Sequence, residues 1–314
     1  MLINISDFSL EGTAGIKIYG TKYSVESPRG VLLIVHGMAE HRQRYYDFAR
    51  HLNHNGYIVY TYDHRGHGET AVKNNQTLGY FARKDGWEKI IKDLHKLLNY
   101  VIEKNKGLPV FLLGHSMGSF IVRNYIAHYG ERLTGVILSG AGEVHPWKLK
   151  LIKPLVKLEK LIRGSESRSK VVQKLIFSSN NRQFKPSRTD YDWLSRDNEV
   201  VDNYIMDRFC GFKCTTGFYE DFIKGIFKTT KWKSYSSVPN TLSLLFIAGG
   251  QDPVGGEDIK EIAENYREAG VWDVVCKVYP NARHELLNEI NKKEVFSDLT
   301  DWLKERTSAL EIKS

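Results

Sequence analysis

The chain has 314 residues, with 45 Lys+Arg against 37 Asp+Glu and a formal net charge of +8 when histidine is neutral. With 41% hydrophobic and 26% charged residues it has a globular make-up, which excludes wholesale disorder and collagen-like or low-complexity character. This length suits one large domain, or a domain with a substantial insertion, and either buries a full core. The longest apolar runs, Val31–Val35 and Leu244–Ala248, reach about a quarter of the roughly 20 residues a membrane helix needs. The N-terminal MLINISDFSL has no basic start, long apolar stretch or small-residue cleavage site, so a cytoplasmic rather than a secreted protein is expected.

The first 28 residues alternate like the strands of an antiparallel hairpin at a sheet edge. Continuous apolar runs follow: GVLLIVHG (30–37), GYIVYTYDH (56–64), LPVFLLGHS (108–116) and LTGVILSG (133–140). Such runs fit strands buried on both faces of a parallel sheet. Between them, 85–105 carries Trp87, Ile90, Ile91, Leu94, Leu97, Leu98, Val101 and Ile102 on one helical face, with Asp85 placed to cap. The alternation stops at Gly142 and resumes near Asn240. Strands at 241–250 and 274–280 then enclose a helix at 257–269, and a last helix has Val295, Phe296, Leu299, Trp302 and Leu303 on one face.

This pattern predicts an α/β fold with a doubly wound, mostly parallel sheet. Residues 1–141 and 241–314 form its catalytic part, and 142–240 form an inserted helical cap over the C-terminal strand ends, where open α/β sheets place ligands. Within the insertion, 178–190 reads as a polar loop, and VDNYIMDRF and GFYEDFIKGIF as helical pieces. Residues 148–163 carry six basic side chains against Glu159 alone. In 147–162, Leu151, Leu155, Leu158 and Ile162 recur at helical spacing. Pro154 either opens a helix running to about 163 or lies within a longer one. Such a helix packs its apolar side over the pocket, the favoured reading, or makes transient contact with an anionic membrane or micelle surface through 147–163.

Gly114-His115-Ser116-Met117-Gly118 closes one predicted strand and opens a helix, the context that gives G-x-S-x-G its meaning. There the serine sits on a strained turn, and tiny neighbours on either side avoid a clash. A serine hydroxyl needs a base, and the base an orienting carboxylate. His284, past the last strand, and Asp252, in the turn GGQDPV, follow Ser116 in the order expected of an α/β-hydrolase triad. Asp252 alone also reads as a turn residue before Pro253, and Glu257, Asp258 and Asp273 are weaker candidates for the acid. The backbone N–H groups of Met38, after the third strand, and Met117, after the serine, are the expected oxyanion donors.

HGMAEHRQRY (36–45), YDHRGHG (62–68), GHSMGS (114–119), GGQDPV (249–254) and NARHEL (281–286) closely resemble the monoacylglycerol lipase/lysophospholipase branch of the α/β hydrolases, also grouped with serine aminopeptidase-like hydrolases. The resemblance implies Ser116, Asp252 and His284 as the triad and Met38 and Met117 as the oxyanion hole. It also implies that Glu40 and Arg44 lie beside the alcohol portion of the substrate, unless they brace their loop as an ion pair. Asp63, Arg65, Gly66 and Gly68 are expected to shape a loop near the site. Some animal members carry a second histidine three places after the catalytic one, associated with the glycerol headgroup; Leu287 stands there in this chain.

The expected activity is cofactor-free serine hydrolysis of a small lipid-like ester, a monoacylglycerol or lysophospholipid, with no metal. An aminopeptidase or amidase with the same triad, or a non-catalytic binder, is the alternative. Dehalogenases and epoxide hydrolases of the fold usually place an aspartate where Ser116 stands. No zinc-finger spacing, RRM signature or basic-aromatic stripe points to nucleic acid as a partner. Cys210, Cys214 and Cys276 are too few and too odd in number for a disulfide framework. Cys210 and Cys214 lie four apart with no second Cys or His pair nearby to complete a zinc site, so they read as buried or unremarkable thiols.

Overall fold

Six strands align in parallel, and the five inner ones are fully buried runs sealed on both faces by helices, while the edge strand is only partly covered. The computed structural model describes residues 4–143, 146–177 and 179–311. The first three residues of the expected hairpin, residues 144 and 145 of the expected cap and residue 178 of its polar loop lie outside the described residues. At one edge, β1 (Asn4–Glu11) and β2 (Lys17–Ser24) form the antiparallel hairpin that the alternation predicted. The parallel strands are β3 (Gly30–Val35), β4 (Tyr57–Tyr62), β5 (Val110–His115), β6 (Gly135–Ser139), β7 (Ser243–Gly249) and β8 (Val274–Tyr279), and of these β4 lies beside β2, antiparallel to it. The sheet order is β1-β2-β4-β3-β5-β6-β7-β8.

Helices α1 (Tyr46–His54), α2 (Gly68–Lys73), α3 (Gly86–Lys104) and α4 (Met117–Tyr129) connect the first strands. Between β6 and β7 the chain contributes α5 (Pro146–Arg163), α6 (Lys170–Phe177), α7 (Asn198–Met206), α8 (Thr216–Thr229) and α9 (Trp232–Ser236), and among the described residues no strand of this sheet. Helices α10 (Ile259–Glu268) and α11 (Lys292–Glu311) follow β7 and β8.

Alternate residues of each strand serve opposite faces. Val31, Leu33, Val35, Val110 and Leu112 pack with α3 and α4, whereas Leu32, Ile34, Phe111 and Leu113 pack with α1 and α11. The apolar face expected of the last helix, from Val295 to Leu303, lies in that second layer. Because β4 lies on one side of β3 and β5 on the other, successive crossovers wind in opposite directions. The loops after β3 and β5 therefore part to leave a crevice at their C-terminal ends.

Two local expectations need correcting. Asp85 does stand at the N-cap of α3, but its backbone is left-handed (φ 54°) and its side chain makes no capping bond. A capping side chain needs the extended backbone that directs its oxygen at the first N–H groups. In α5, Pro154 lies inside a longer helix. The face that packs is Leu149, Ile152 and Val156, while Leu151, Leu158 and Ile162 of the expected stripe are 70%, 54% and 72% exposed. Both faces of α5 carry aliphatic residues, so periodicity alone does not choose between them.

Helix α8 ties the β6–β7 segment to the core. Trp87 of α3 is fully buried, and its indole N–H donates to Asn124 Oδ1 at 3.0 Å. A Cβ placed on Gly225 of α8 would lie 2.3 Å from two atoms of that ring. Gly225→Ala thus sets a helix-propensity gain of about 1 kcal/mol against an overpacking cost of about 1–3 kcal/mol or more. The ring is pinned, so the clash wins. Urea unfolding should show Gly225→Ala less stable than the parent chain, and an equal or higher midpoint would contradict this packing.

Candidate active site

Ser116 stands alone between the last residue of β5 and the first of α4, with φ 51° and ψ −117°. A side chain other than glycine is strained there. The surrounding contacts hold it in place. Its N–H donates to Ser139 O (2.9 Å), and its carbonyl accepts from Ser119 N (2.9 Å) and Ser119 Oγ (2.6 Å). The turn closes only because its flanking residues lack side chains: a Cβ on Gly118 would lie 2.1 Å from Val35 O, and one on Gly114 2.6 Å from Gly118 O.

Asp252 and His284 meet from the loops after β7 and β8. His284 Nδ1 lies 2.9 Å from each Asp252 carboxylate oxygen, and both residues are buried. Burial alone would push the carboxyl pKa up and the imidazole pKa down. Their mutual attraction reverses both, leaving Asp252 below its ordinary value and His284 above 6.5. Asp252 Oδ1 also accepts from Val254 N at 2.8 Å, so the turn reading holds as well. The glycine pair at the end of β7 opens a tight turn, with Asp252 N donating to Gly249 O at 3.0 Å, and also allows close approach: a Cβ on Gly249 would lie 2.2 Å from Ala282 O and 2.3 Å from Arg283 O.

Ser116 and His284 line one cavity, although no hydrogen bond joins the serine hydroxyl to the imidazole among the described residues. Serine–base contacts commonly tighten only in the substrate complex. Glu257, Asp258 and Asp273 do not line this cavity, and Asp273 is paired with Arg306 at 2.9 Å.

The loop after β3 lies opposite. Met38 lines the cavity, and Met117, the first helical residue of α4, has an N–H with no intrahelical acceptor. Glu40 braces this loop by accepting from Gly37 N and from Tyr45 Oη (2.9 Å). Arg44 does not line the cavity. Its guanidinium makes a two-pronged pair with Glu285, bonds Glu40 Oε2 at 3.3 Å, and lies over the Tyr204 ring at 4.8 Å. Burial would raise both carboxyls, but Arg44 holds Glu285 below its ordinary range, while burial and the neighbouring Glu285 leave Glu40 raised. Ala39, with φ 52°, offers its carbonyl to Tyr204 Oη (3.0 Å) and Gly211 N (2.9 Å), both from the β6–β7 segment. Asp63 and Arg65 shape the neighbouring loop, Asp63 holding Arg42 and the Glu69 N–H, and Arg65 bonding Asp93 and Thr13.

Three residues near His284 escaped the sequence reading. His115, the second residue of the serine pentapeptide, has its ring 4.8 Å from that of His284, and burial and His284 push its pKa down to about 3, so it stays neutral. The Trp193 ring lies 5.0 Å from that of His284, tilted by 39°, and its carbonyl accepts from His284 N at 3.3 Å. Glu285 was quoted in NARHEL, but nothing in sequence ties it to Arg44, 241 positions away. The cavity, about 530 Å³, falls in the range of small-molecule sites. Met38, Tyr191, Trp193, Leu194, Tyr204, Phe212 and Tyr219 contribute its apolar wall, and Lys170, Lys174, Lys213, Asp190 and Asn181 its polar part.

Comparison with known proteins agrees with this architecture. The chain is 29% identical to a monoacylglycerol lipase of Mycolicibacterium smegmatis over 306 residues, 95% of this chain and 96% of that one. It is 26% identical to the monoglyceride lipase of Homo sapiens, over 90% of this chain and 84% of the other. A thermostable carboxyl esterase from Bacillus coagulans, solved in complex with glycerol, superimposes with a TM-score of 0.89 at 28% identity, covering 96% of this chain and 99% of that one. The family model described as serine aminopeptidase, S33 matches residues 26–291. That match spans most of the chain, including Ser116, Asp252 and His284 at the strand ends, and the chain belongs to this family of α/β hydrolases.

Proposed function

We propose that this enzyme, a carboxylic ester hydrolase, cleaves single-chain lipid esters, a monoacylglycerol or a lysophospholipid, through an acyl-enzyme on Ser116. The observation that carries the reading is the buried contact between His284 Nδ1 and the Asp252 carboxylate, beside a strained serine that opens onto the same cavity. In this reading His284 Nε2 takes the Ser116 proton as Oγ attacks the ester carbonyl. The N–H groups of Met38 and Met117 receive the oxyanion. The imidazolium, stabilised by Asp252, hands its proton to the leaving alcohol oxygen. Water then attacks the acyl-enzyme, gives up a proton to His284, and the proton returns to Ser116 Oγ as the carboxylic acid departs.

Residues 142–240 act as the cap, supplying Tyr191, Trp193, Tyr204, Phe212 and Tyr219 to the cavity. This aromatic wall suits an acyl chain, and the monoacylglycerol lipase relatives support the substrate class. Glu40 faces the leaving alcohol, with Arg44 orienting it from behind. Helix α5 docks on anionic lipid surfaces. Support comes from Trp147, Leu151, Leu158, Leu161 and Ile162, all more than half exposed, on a helix that also carries Lys150, Lys153 and Lys157.

Ser116→Ala should fold normally and lose about 10⁴-fold or more in kcat with a p-nitrophenyl ester. Wild-type-like turnover would reject the nucleophile. In a panel of monoacylglycerols, lysophospholipids and aminoacyl amides, faster amide than ester cleavage would overturn the lipase reading.

The pH profile gives a second check. Asp252 raises the His284 pKa, so the base is protonated and idle at low pH, and kcat/KM should rise with pH through a limb above 6.5. Asp252→Asn should move that limb to lower pH while cutting kcat by about 10⁴-fold. An unmoved limb would assign the titration to another group.

Flotation with anionic and neutral vesicles tests the surface. The chain should float with the anionic set, and Leu151→Glu with Leu158→Glu should abolish this. Equal, negligible flotation with both vesicle types would remove the membrane contact.

A further inference from the structure

Behind the loop after β3, outside the cavity, three ligand-type side chains converge from two distant segments. His41 Nε2 lies 2.8 Å from Asp207 Oδ2, and with Cys210 Sγ the three ligand atoms all lie within 4.8 Å of one another. His41 and Cys210 are buried, and the Asp207 side chain is 32% exposed. The turn after α7 builds the pair on one side: Cys210 N donates to Asp207 O at 3.0 Å, and Phe209 N occupies Asp207 Oδ1 at 2.7 Å, which leaves Oδ2 facing His41. Cys210 is one of the two thiols whose sequence spacing had no partner histidines nearby; the fold brings one from 169 positions away.

An imidazole nitrogen, a carboxylate oxygen and a thiolate together favour a borderline-soft divalent ion over calcium or magnesium. Tetrahedral zinc with bonds of about 2.0–2.3 Å spaces its ligand atoms by about 3.3–3.8 Å. The His41–Asp207 contact would open by under about 1 Å, and the widest spacing would close by about as much, to reach that range. Local charge agrees. Asp207, Glu40 and Glu285 surround Arg44, whose guanidinium is already committed to Glu285 and Glu40.

We propose that His41, Asp207 and Cys210 form a binding site for zinc-class divalent ions that staples the loop after β3 to the β6–β7 segment, with solvent as fourth ligand past the exposed edge of Asp207. The cation displaces the Cys210 thiol proton to solvent and takes the lone pair of His41 Nε2, whose proton moves to Nδ1. Burial disfavours the Cys210 thiolate by itself, so its ionisation is coupled to binding. The site needs no assumption about catalysis.

The full chain, stripped with a chelator and titrated with Co²⁺ and then Zn²⁺, tests this. One ion per chain, a thiolate-to-cobalt charge-transfer band in the near ultraviolet and a Tm rise of about 4 °C at a hundredfold excess over Kd are expected. Cys210→Ser and Asp207→Asn should each lose the band and most of the Tm shift, and Cys276→Ser should keep both. Cobalt binding without a thiolate band, a Tm shift that survives Cys210→Ser, or no saturable binding would overturn the site. If the Cys210 variant misfolds, the band in Cys276→Ser protein decides.

Discussion

Neither a carboxylate at Asp252 nor an imidazolium at His284 would be stable alone in so dry a setting. Burial drives a carboxylate toward its neutral acid and an imidazolium toward neutral imidazole, and only their contact at 2.9 Å reverses both tendencies. That requirement fixes much of the surrounding backbone. The ends of β7 and β8 have to approach until Gly249 lies against Ala282 and Arg283, with no room for a Cβ. The parallel pairing of these strands, seated between helical layers, supplies the rigid frame for this approach.

The histidine loop is also clamped from the β6–β7 segment. His284 N and Glu285 N donate to Trp193 O and Leu194 O, Arg283 reaches the carbonyls of Asp192 and Ser195, and Arg196 pairs with Glu289. From the opposite side Arg44 grips Glu285. The imidazole is thus positioned by three chain segments that are remote from one another in sequence. Buried charge pairs of this kind add little net stability but are costly to break singly, which suits them to fixing geometry.

The sheet and its helices were legible in sequence because strands sealed on both faces leave continuous apolar runs, and helices packed on one side leave a period near 3.6. Ser116, Asp252 and His284 were legible as candidates because each stands just past a strand end, the first two beside glycines that the chain cannot replace without collision. What escaped depends on tertiary proximity. The Arg44–Glu285 pair joins residues 241 apart, and His115 matters because its ring meets His284. The packed face of α5 escaped for another reason: Leu149, Ile152 and Val156 compete with an equally apolar stripe on the opposite side, and only contact with the core separates them.

The carbonyl of Ala39 has two donors, Tyr204 Oη and Gly211 N, both contributed by the inserted segment. A relative's insertion grafted onto this scaffold would therefore have to reproduce a phenol and an amide at those two points, or leave the backbone around Met38 unsupported. Evolution that retailors the pocket by exchanging this segment is thereby held to these two bonds, in addition to the contacts that clamp the histidine loop.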